Sequence, residues 1–165
     1  MIMEFHKLHD RIKELAEDIN YPCKKVDHLV FALKLSQTPG HIFFHSGFEA
    51  MGKSLLEAVN THYLFTRGYS TEKEINEAKK IYKAKNPYAN FAKDHHIWKF
   101  IYNDEHFADE VKRGSLRPKD SDAVLLERIV GAMYYDSNWE ATKNWIITTL
   151  GIRELKKTGS IDSSK

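Results

Sequence analysis

The pattern of apolar and polar residues along this chain has the period of helices rather than of strands. Between Gly40 and Phe65, large apolar residues recur at intervals of three and four, which places them on one face of a helix. These positions are Phe44, Phe48, Met51, Leu55 and Val59. A second stretch, from Asp122 to Asp136, reads DAVLLERIVGAMYYD and has the same mostly apolar build. We expect the rest of the chain to be organised around these two helices.

Each of the two predicted helices contains a glutamate and a glycine. Gly52 lies in the middle of the first helix, where glycine costs about 1 kcal/mol relative to alanine, so we expect another element to approach closely there. Gly131 lies within the second helix. Two strongly apolar helices can pack against each other, and this packing would bring Glu49 of the first helix close to Glu127 of the second.

Helical patterns and capping signals continue through the rest of the chain. Residues 5–19 and residues 26–35 each predict an amphipathic helix. A capping box at Thr71 and Glu74 opens a helix that reaches to about Lys85. We therefore expect an all-α fold, with one domain over residues 1–152 and a polar, flexible tail over residues 153–165.

Two further helices are predicted by their first residues. Asn86 and Pro87 are typical of the N-cap and the first position of a helix, which we expect to continue through Ile101. Asn138 caps a final helix that is closed by Gly151. The core face predicted for the first of these helices consists of Phe91, His95, Trp98 and Ile101.

Composition and charge exclude several classes of protein. The 165 residues are 42% hydrophobic, which is sufficient for one core, and the formal net charge of +2 is too weak to indicate nucleic acid by itself. No apolar run approaches the ~18–20 residues of a membrane helix, so we expect no membrane partner. The single Cys23 fits a reducing compartment, and the N-terminus lacks a signal-peptide core. We expect an intracellular protein, cytosolic or nuclear, with an organellar location as the alternative.

The two central stretches together resemble the ribonuclease III family. Residues 46–56, SGFEAMGKSLL, are similar to the first family signature, which reads roughly Glu-Arg-Leu-Glu-Phe-Leu-Gly-Asp-Ala-Val-Leu. Residues 123–136, AVLLERIVGAMYYD, are similar to the later signature helix. The resemblance covers roughly residues 8–150. It implies a ribonuclease III-like helical domain, and we expect this domain to lack the appended domain that binds double-stranded RNA in many relatives.

The resemblance also implies a metal-binding site, of which this chain has some of the ligands. In the family, four carboxylates from the two signature helices hold divalent metal ions, which activate water to cleave double-stranded RNA. Glu49 and Glu127 match two of the four, whereas Lys53 and Val124 stand where the family has aspartate. Lys53 lies one helical turn from Glu49, so we expect an ion pair between them and a formal site charge of −1. We expect no metal site and no cofactor.

These observations predict an RNA-binding or scaffolding subunit that has lost cleavage. It would pair with itself or with an active relative, within an RNA-processing or ribosomal assembly, through residues Phe44–Leu56. Arg113 and Arg117 are the predicted RNA phosphate contacts, because they belong to a basic cluster in the loop before the second signature helix. The first alternative is an active endoribonuclease that uses Mg²⁺ and unrecognised ligands such as Asp122 or His45. The second alternative is a protein-interaction module without RNA.

Overall fold

The computed structural model describes residues 2–33, 39–97, 100 and 122–157, and of residues 2–6 and 39–45 it describes the backbone alone. Within these ranges the chain forms helices and turns without a strand, so the predicted all-α class is confirmed for this part of the chain. The helices are α1 (Ile2–Asp18), α2 (Asp27–Leu33), α3 (Pro39–Thr66), α4 (Glu72–Ala84), α5 (Pro87–Asp94), α6 (Asp122–Asp136) and α7 (Trp139–Thr149), followed by a short 3₁₀ helix (Ile152–Glu154).

Helices α3 and α6 cross at two glycines and form the centre of the fold. A Cβ atom added to Gly52 would lie 1.6 Å from the backbone oxygen of Glu127, and one added to Gly131 would lie 2.0 Å from the backbone oxygen of Phe48. The two backbones therefore touch, and any larger residue would force the helices apart. The close approach predicted at Gly52 is confirmed.

The hydrophobic core surrounds this crossing. Helix α6 is buried along most of its length and packs against α2, α3, α5 and α7. The indole Nε1 of Trp145 on α7 donates a 2.8 Å hydrogen bond to the backbone oxygen of Ile19, which holds α7 against the end of α1. A smaller cluster joins the end of α3 to α4 and the 3₁₀ helix; it consists of Leu64, Tyr69, Ala78, Tyr82 and Ile152.

Three of the predicted capping sites, at Thr71, Asn138 and Gly151, behave as their sequence predicts, whereas Asn86 takes the N-cap position of α5 without a side-chain capping bond. Thr71 and Glu74 form a complete capping box at the start of α4. The side chain of Asn138 accepts a hydrogen bond from the backbone nitrogen of Ala141 at the start of α7. Gly151 has a φ of 80°, which a residue with a side chain rarely adopts, and the chain leaves α7 there.

Helix α5 differs from its prediction in length and in its core face. It ends at Asp94 instead of continuing through Ile101, because the chain turns at His95 and reaches a positive φ of 49° at His96. His95 is half-buried and binds the carboxylate of Asp18 at 2.8 Å, so its prediction as a core residue is wrong. Ile97 is fully buried after the turn.

Several predicted features lie outside the described residues. These are the phosphate contacts Arg113 and Arg117, the core residues Trp98 and Ile101, and the side chains of Phe44 and His45. Of the described helices, none is long and apolar enough to cross a lipid bilayer.

Candidate functional site

The crossing of α3 and α6 brings the two predicted carboxylates together. Glu49 lies on α3 one turn before Gly52, and Glu127 lies on α6 at the residue whose backbone oxygen faces Gly52. Burial raises the pKa of the Glu127 carboxyl, and the negative charge of Glu49 raises it further. Lys53 and Arg128 act on this pKa in the opposite direction. The two glutamates and the two cations therefore form one electrostatic cluster.

Arg128 is the member of this cluster that the sequence analysis missed. Its Nη2 atom lies 3.4 Å from Oε2 of Glu49, and its side chain is only 9% exposed. Glu49 therefore forms its ion pair with Arg128 on the neighbouring helix. Among the described residues its ion-pair partner is this arginine and not Lys53, which was predicted from the same helix. A charged residue inside the apolar run LLERIV was the available signal, because a buried arginine generally requires an anionic partner.

The cluster has a different formal charge from the one expected. Glu49 and Glu127 are balanced by Lys53 and Arg128, so the four side chains are together neutral instead of carrying the predicted −1. A divalent cation bound by protein oxygens needs converging anionic ligands. In this cluster each carboxylate already has a cation close by.

Neighbouring residues do not extend the cluster into a metal site within the described part of the chain. Among the described residues, no three side chains of histidine, cysteine, aspartate or glutamate lie close enough together to hold a metal ion. Val124 and Asp122 both lie half-exposed in the first turn of α6. The side chain of His45, the other alternative ligand, lies outside the described residues.

A small cavity of about 260 Å³ adjoins the cluster. Lys53 and Glu57 of α3 form one wall, Lys83 of α4 contributes a second, and Tyr88 of α5 with Glu127 of α6 closes the remainder. The cavity therefore collects charged and polar groups from the four helices that surround it.

A lysine pair neutralises the other glutamate of this cavity. Nζ of Lys79 lies 2.9 Å from Oε2 of Glu57, and Lys83 binds the other carboxylate oxygen. Burial acts to raise the pKa of Glu57, but the hydrogen bonds from Lys83 and Lys79 outweigh it and hold this pKa below its usual range. Glu57 and its two lysines together carry a net charge of +1, and of the two lysines only Lys83 lines the cavity.

Tyr88 supplies the phenol of the cavity. Its Oη atom accepts a 2.9 Å hydrogen bond from Nδ2 of Asn60, a residue only 1% exposed. Burial raises the pKa of Tyr88 to about 12; the hydrogen bond from Asn60 acts to lower this pKa, and the negative charges of Glu57 and Glu127 act to raise it. The phenol therefore stays protonated at neutral pH.

A second carboxylate site lies at the C-terminal end of α6, and the sequence analysis did not single it out. The side chain of Asp136 is 2% exposed. Its Oδ2 atom accepts a 2.7 Å hydrogen bond from the hydroxyl of Tyr21, and its Oδ1 atom binds Nδ1 of His28. Burial and the bond to Asp136 raise the pKa of the Tyr21 phenol far above its ordinary value. This network connects α6 to α2 and to the turn after α1.

Comparisons with protein-family models, with curated proteins and with solved structures find no match to this chain. The resemblance to the ribonuclease III family therefore rests on the residues of the two signature stretches.

Proposed function

We propose that this chain is a ribonuclease III-like domain that binds RNA without cleaving it and acts as a scaffolding or RNA-binding subunit. The observation that carries the proposal is the neutral cluster of Glu49, Glu127, Lys53 and Arg128. In the family that the chain resembles, the corresponding position holds metal ions through four carboxylates. Here cations of the chain itself lie beside the two that remain, so the cluster repels phosphate less and has a weaker attraction for Mg²⁺.

Duplex cleavage is the direct test of inactivity. Purified protein incubated with double-stranded RNA and Mg²⁺ or Mn²⁺ is expected to leave the RNA uncut. Discrete short duplex products that disappear in Glu127→Gln would contradict the proposal. This result would favour the second candidate, an active endoribonuclease, for which the raised pKa of Glu127 is the supporting observation, because catalytic groups commonly have perturbed pKa values.

A restoration experiment tests the same proposal from the opposite direction. The double variant Lys53→Asp, Val124→Asp places carboxylates at both positions where the family has aspartate. If the resemblance holds, this variant binds Mn²⁺ in calorimetry whereas the natural chain does not. Lys80→Asp with Ser54→Asp is the matched control, because it adds the same charges to exposed residues outside the cluster.

Duplex binding tests the RNA-binding half of the proposal. Shape and phosphate recognition of duplex RNA need no catalytic carboxylate. We expect weak, sequence-independent duplex binding that falls steeply with salt, since bound phosphates release counterions. The double variant Arg113→Ala, Arg117→Ala is expected to reduce the salt slope by about one or two. Absence of duplex binding at low salt would favour the protein-only alternative.

Pairing with a second domain is the remaining part of the proposal. Within the segment proposed as the interface, Phe48, Leu55 and Leu56 are buried in the chain's own core, so a partner would contact other residues of Phe44–Leu56. Phe44→Glu is expected to dissociate the dimer in light-scattering measurements. A monomer at tens of micromolar, with no copurifying partner, would contradict this part.

A further inference from the structure

Two neighbouring cavities share a wall on α3. The larger cavity, about 850 Å³, lies between α3 and α4, and the smaller one is the polar cavity beside the carboxylate cluster. Lys53 and Glu57 line both cavities. The shared residues make the two cavities neighbouring sections of one groove along α3, and these sections differ in chemistry.

The smaller section offers two exposed or half-exposed cations to an anion. Its lining carries the lysines Lys53 and Lys83 and the glutamates Glu57 and Glu127, so the formal charge of the lining is zero. Lys79 binds Glu57 from outside the lining and adds one positive charge.

The first turn of α5 forms the facing wall, and its N-cap residue Asn86 makes no side-chain capping hydrogen bond. Pro87 at the first position of α5 has no N–H, so this turn presents the backbone N–H groups of the positions after it and the positive end of the helix dipole. Together these groups suit a phosphate.

The larger section presents an aromatic, apolar surface. The ring of Phe65 is 62% exposed, and Ala58, His62 and Ile75 line the same cavity. Exposed aromatic rings of this kind are the surfaces on which unpaired nucleic-acid bases stack. The base faces of a duplex are covered by their neighbours, so only a single strand can use such a ring.

The separation of the two sections sets the length of the occupant. Lys53 and Phe65 are twelve residues apart on one continuous helix, which corresponds to about 18 Å along its axis. This distance is greater than one nucleotide spans between its phosphate and its base. The occupant must therefore be a strand of several nucleotides.

We propose that the groove between α3, α4 and α5 binds single-stranded RNA, with phosphates at Lys53 and Lys83 and a base stacked on Phe65. The proposal rests on the RNA-binding function proposed above and adds a single-stranded segment to the duplex expected there. The natural ligand would then be a duplex with an unpaired extension, and the groove would bind the extension. A second protein that inserts an apolar helix into the same groove is the competing occupant.

Fluorescence anisotropy with three labelled RNAs tests the proposal. The probes are a blunt duplex, the same duplex with an unpaired tail, and an oligouridylate of about eight nucleotides. The tail is expected to tighten duplex binding, and Phe65→Ala is expected to remove this gain and to weaken oligouridylate binding about tenfold. Ile81→Ala is the matched control, because Ile81 is a 54% exposed apolar residue of α4 outside both cavities. This control is expected to change neither the gain from the tail nor oligouridylate binding.

The salt dependence of binding tests the roles of Lys53 and Lys83 separately. Lys53→Ala with Lys83→Ala is expected to reduce the salt slope of oligouridylate binding by about 1.4, since each phosphate contact on a single strand contributes about 0.7. Lys73→Ala with Lys80→Ala removes the same charge from exposed positions outside both cavities and is expected to leave most of this slope intact. Circular dichroism confirms that each variant folds.

The outcomes separate this inference from the function on which it rests. Duplex binding without any gain from the tail, and without oligouridylate binding, would overturn the inference and leave the duplex proposal standing. Oligouridylate binding that Phe65→Ala does not weaken would also overturn it. Oligouridylate binding without blunt-duplex binding would support the groove and contradict the duplex proposal. If none of the three probes binds, both proposals fail.

Discussion

Two of the three carboxylates of helix α6, Asp136 and Glu127, have sharply different surroundings. Asp136 is enclosed, and both of its oxygens have a partner, Tyr21 for one and His28 for the other. Glu127 is half-buried nearer the middle of the helix, and the negative charge of Glu49 disfavours its ionised form. The same helix therefore contains one carboxylate that the fold satisfies and one that the fold leaves electrostatically strained.

This difference separates a structural role from a functional one. A buried carboxylate with complete hydrogen bonding connects elements and stabilises their arrangement. A partly buried carboxylate next to another carboxylate costs stability, and such arrangements concentrate at functional sites. On physical grounds Asp136 belongs to the architecture, and Glu127 with its cluster belongs to the site.

The largest expected effect comes from the helix crossing beside Glu127. Gly52→Ala would place a Cβ atom against the backbone of α6, which cannot move aside as a side chain can, so we expect a loss of about 3 kcal/mol or more in unfolding free energy. Gly47→Ala is the control on the same helix, because nothing lies within 4 Å of its added Cβ. It should gain up to about 1 kcal/mol from helix propensity. Urea denaturation measures both, and similar values for the two variants would refute the close crossing.

Removal of the enclosed carboxylate tests the structural half of the comparison. Asp136→Ala leaves the Tyr21 hydroxyl and the His28 ring without their acceptor, so we expect a loss of about 3 kcal/mol. Asp18→Ala breaks another aspartate–histidine pair, the one with His95, but its side chain is 53% exposed. Its loss should stay within about 0.5 kcal/mol. Equal losses in thermal or urea unfolding would remove the distinction between the two sites.

Much of the fold follows from local sequence. The capping box at Thr71 and Glu74, the cap at Asn138 and the turn at Gly151 are determined by residues within one helical turn of each other, and all three were predicted correctly. The close approach at Gly52 was also predictable, because glycine inside an apolar helix needs a steric reason. Residues 46–56 and 123–136 were sufficient to bring Glu49 and Glu127 together.

Two of the missed features depend on partners distant in sequence, and a third depends on a local backbone turn. The partner of Glu49 is Arg128, seventy-nine positions away, and the intrahelical spacing of Glu49 and Lys53 suggested a local pair instead. The enclosure of Asp136 depends on Tyr21, more than a hundred positions away. The early end of α5 depends on a positive φ at His96, a residue whose identity only weakly indicates such a turn. Helical period identifies the buried face but not the groups that meet across it.

A smaller effect is expected from one bond of the enclosed network. Tyr21→Phe removes the hydroxyl that donates to Asp136 and keeps the ring in the core. Because the acceptor is a carboxylate that retains its bond from His28, we expect a loss of about 1.5 kcal/mol. Tyr135→Phe is the control, since that tyrosine is 63% exposed, and it should change stability by less than about 0.5 kcal/mol. If Tyr21→Phe leaves the unfolding free energy in urea unchanged, the hydrogen bond from the phenol to Asp136 does not stabilise the fold.

The smallest expected change in unfolding free energy concerns Glu127, and it is a gain in stability. Its pKa in the folded chain is raised above the ordinary value of 4.5, so the folded state holds the proton more tightly than the unfolded state does. The stability due to this protonation is fully present below the ordinary pKa and is lost as the pH rises through the folded pKa. At neutral pH the ionised Glu127 therefore destabilises the fold.

Replacing this carboxylate with a neutral isostere should relieve the cost. We expect Glu127→Gln to gain about 0.3 kcal/mol at pH 7, a small value because water screens a half-exposed group, and the gain should vanish near pH 4. Glu140→Gln is the control, because that side chain is 69% exposed and pairs with Lys143 on its own helix. It should show no gain at either pH. Urea midpoints at the two pH values measure the difference, and a loss in Glu127→Gln at pH 7 would show that Lys53 and Arg128 stabilise the charged glutamate more than Glu49 and burial destabilise it.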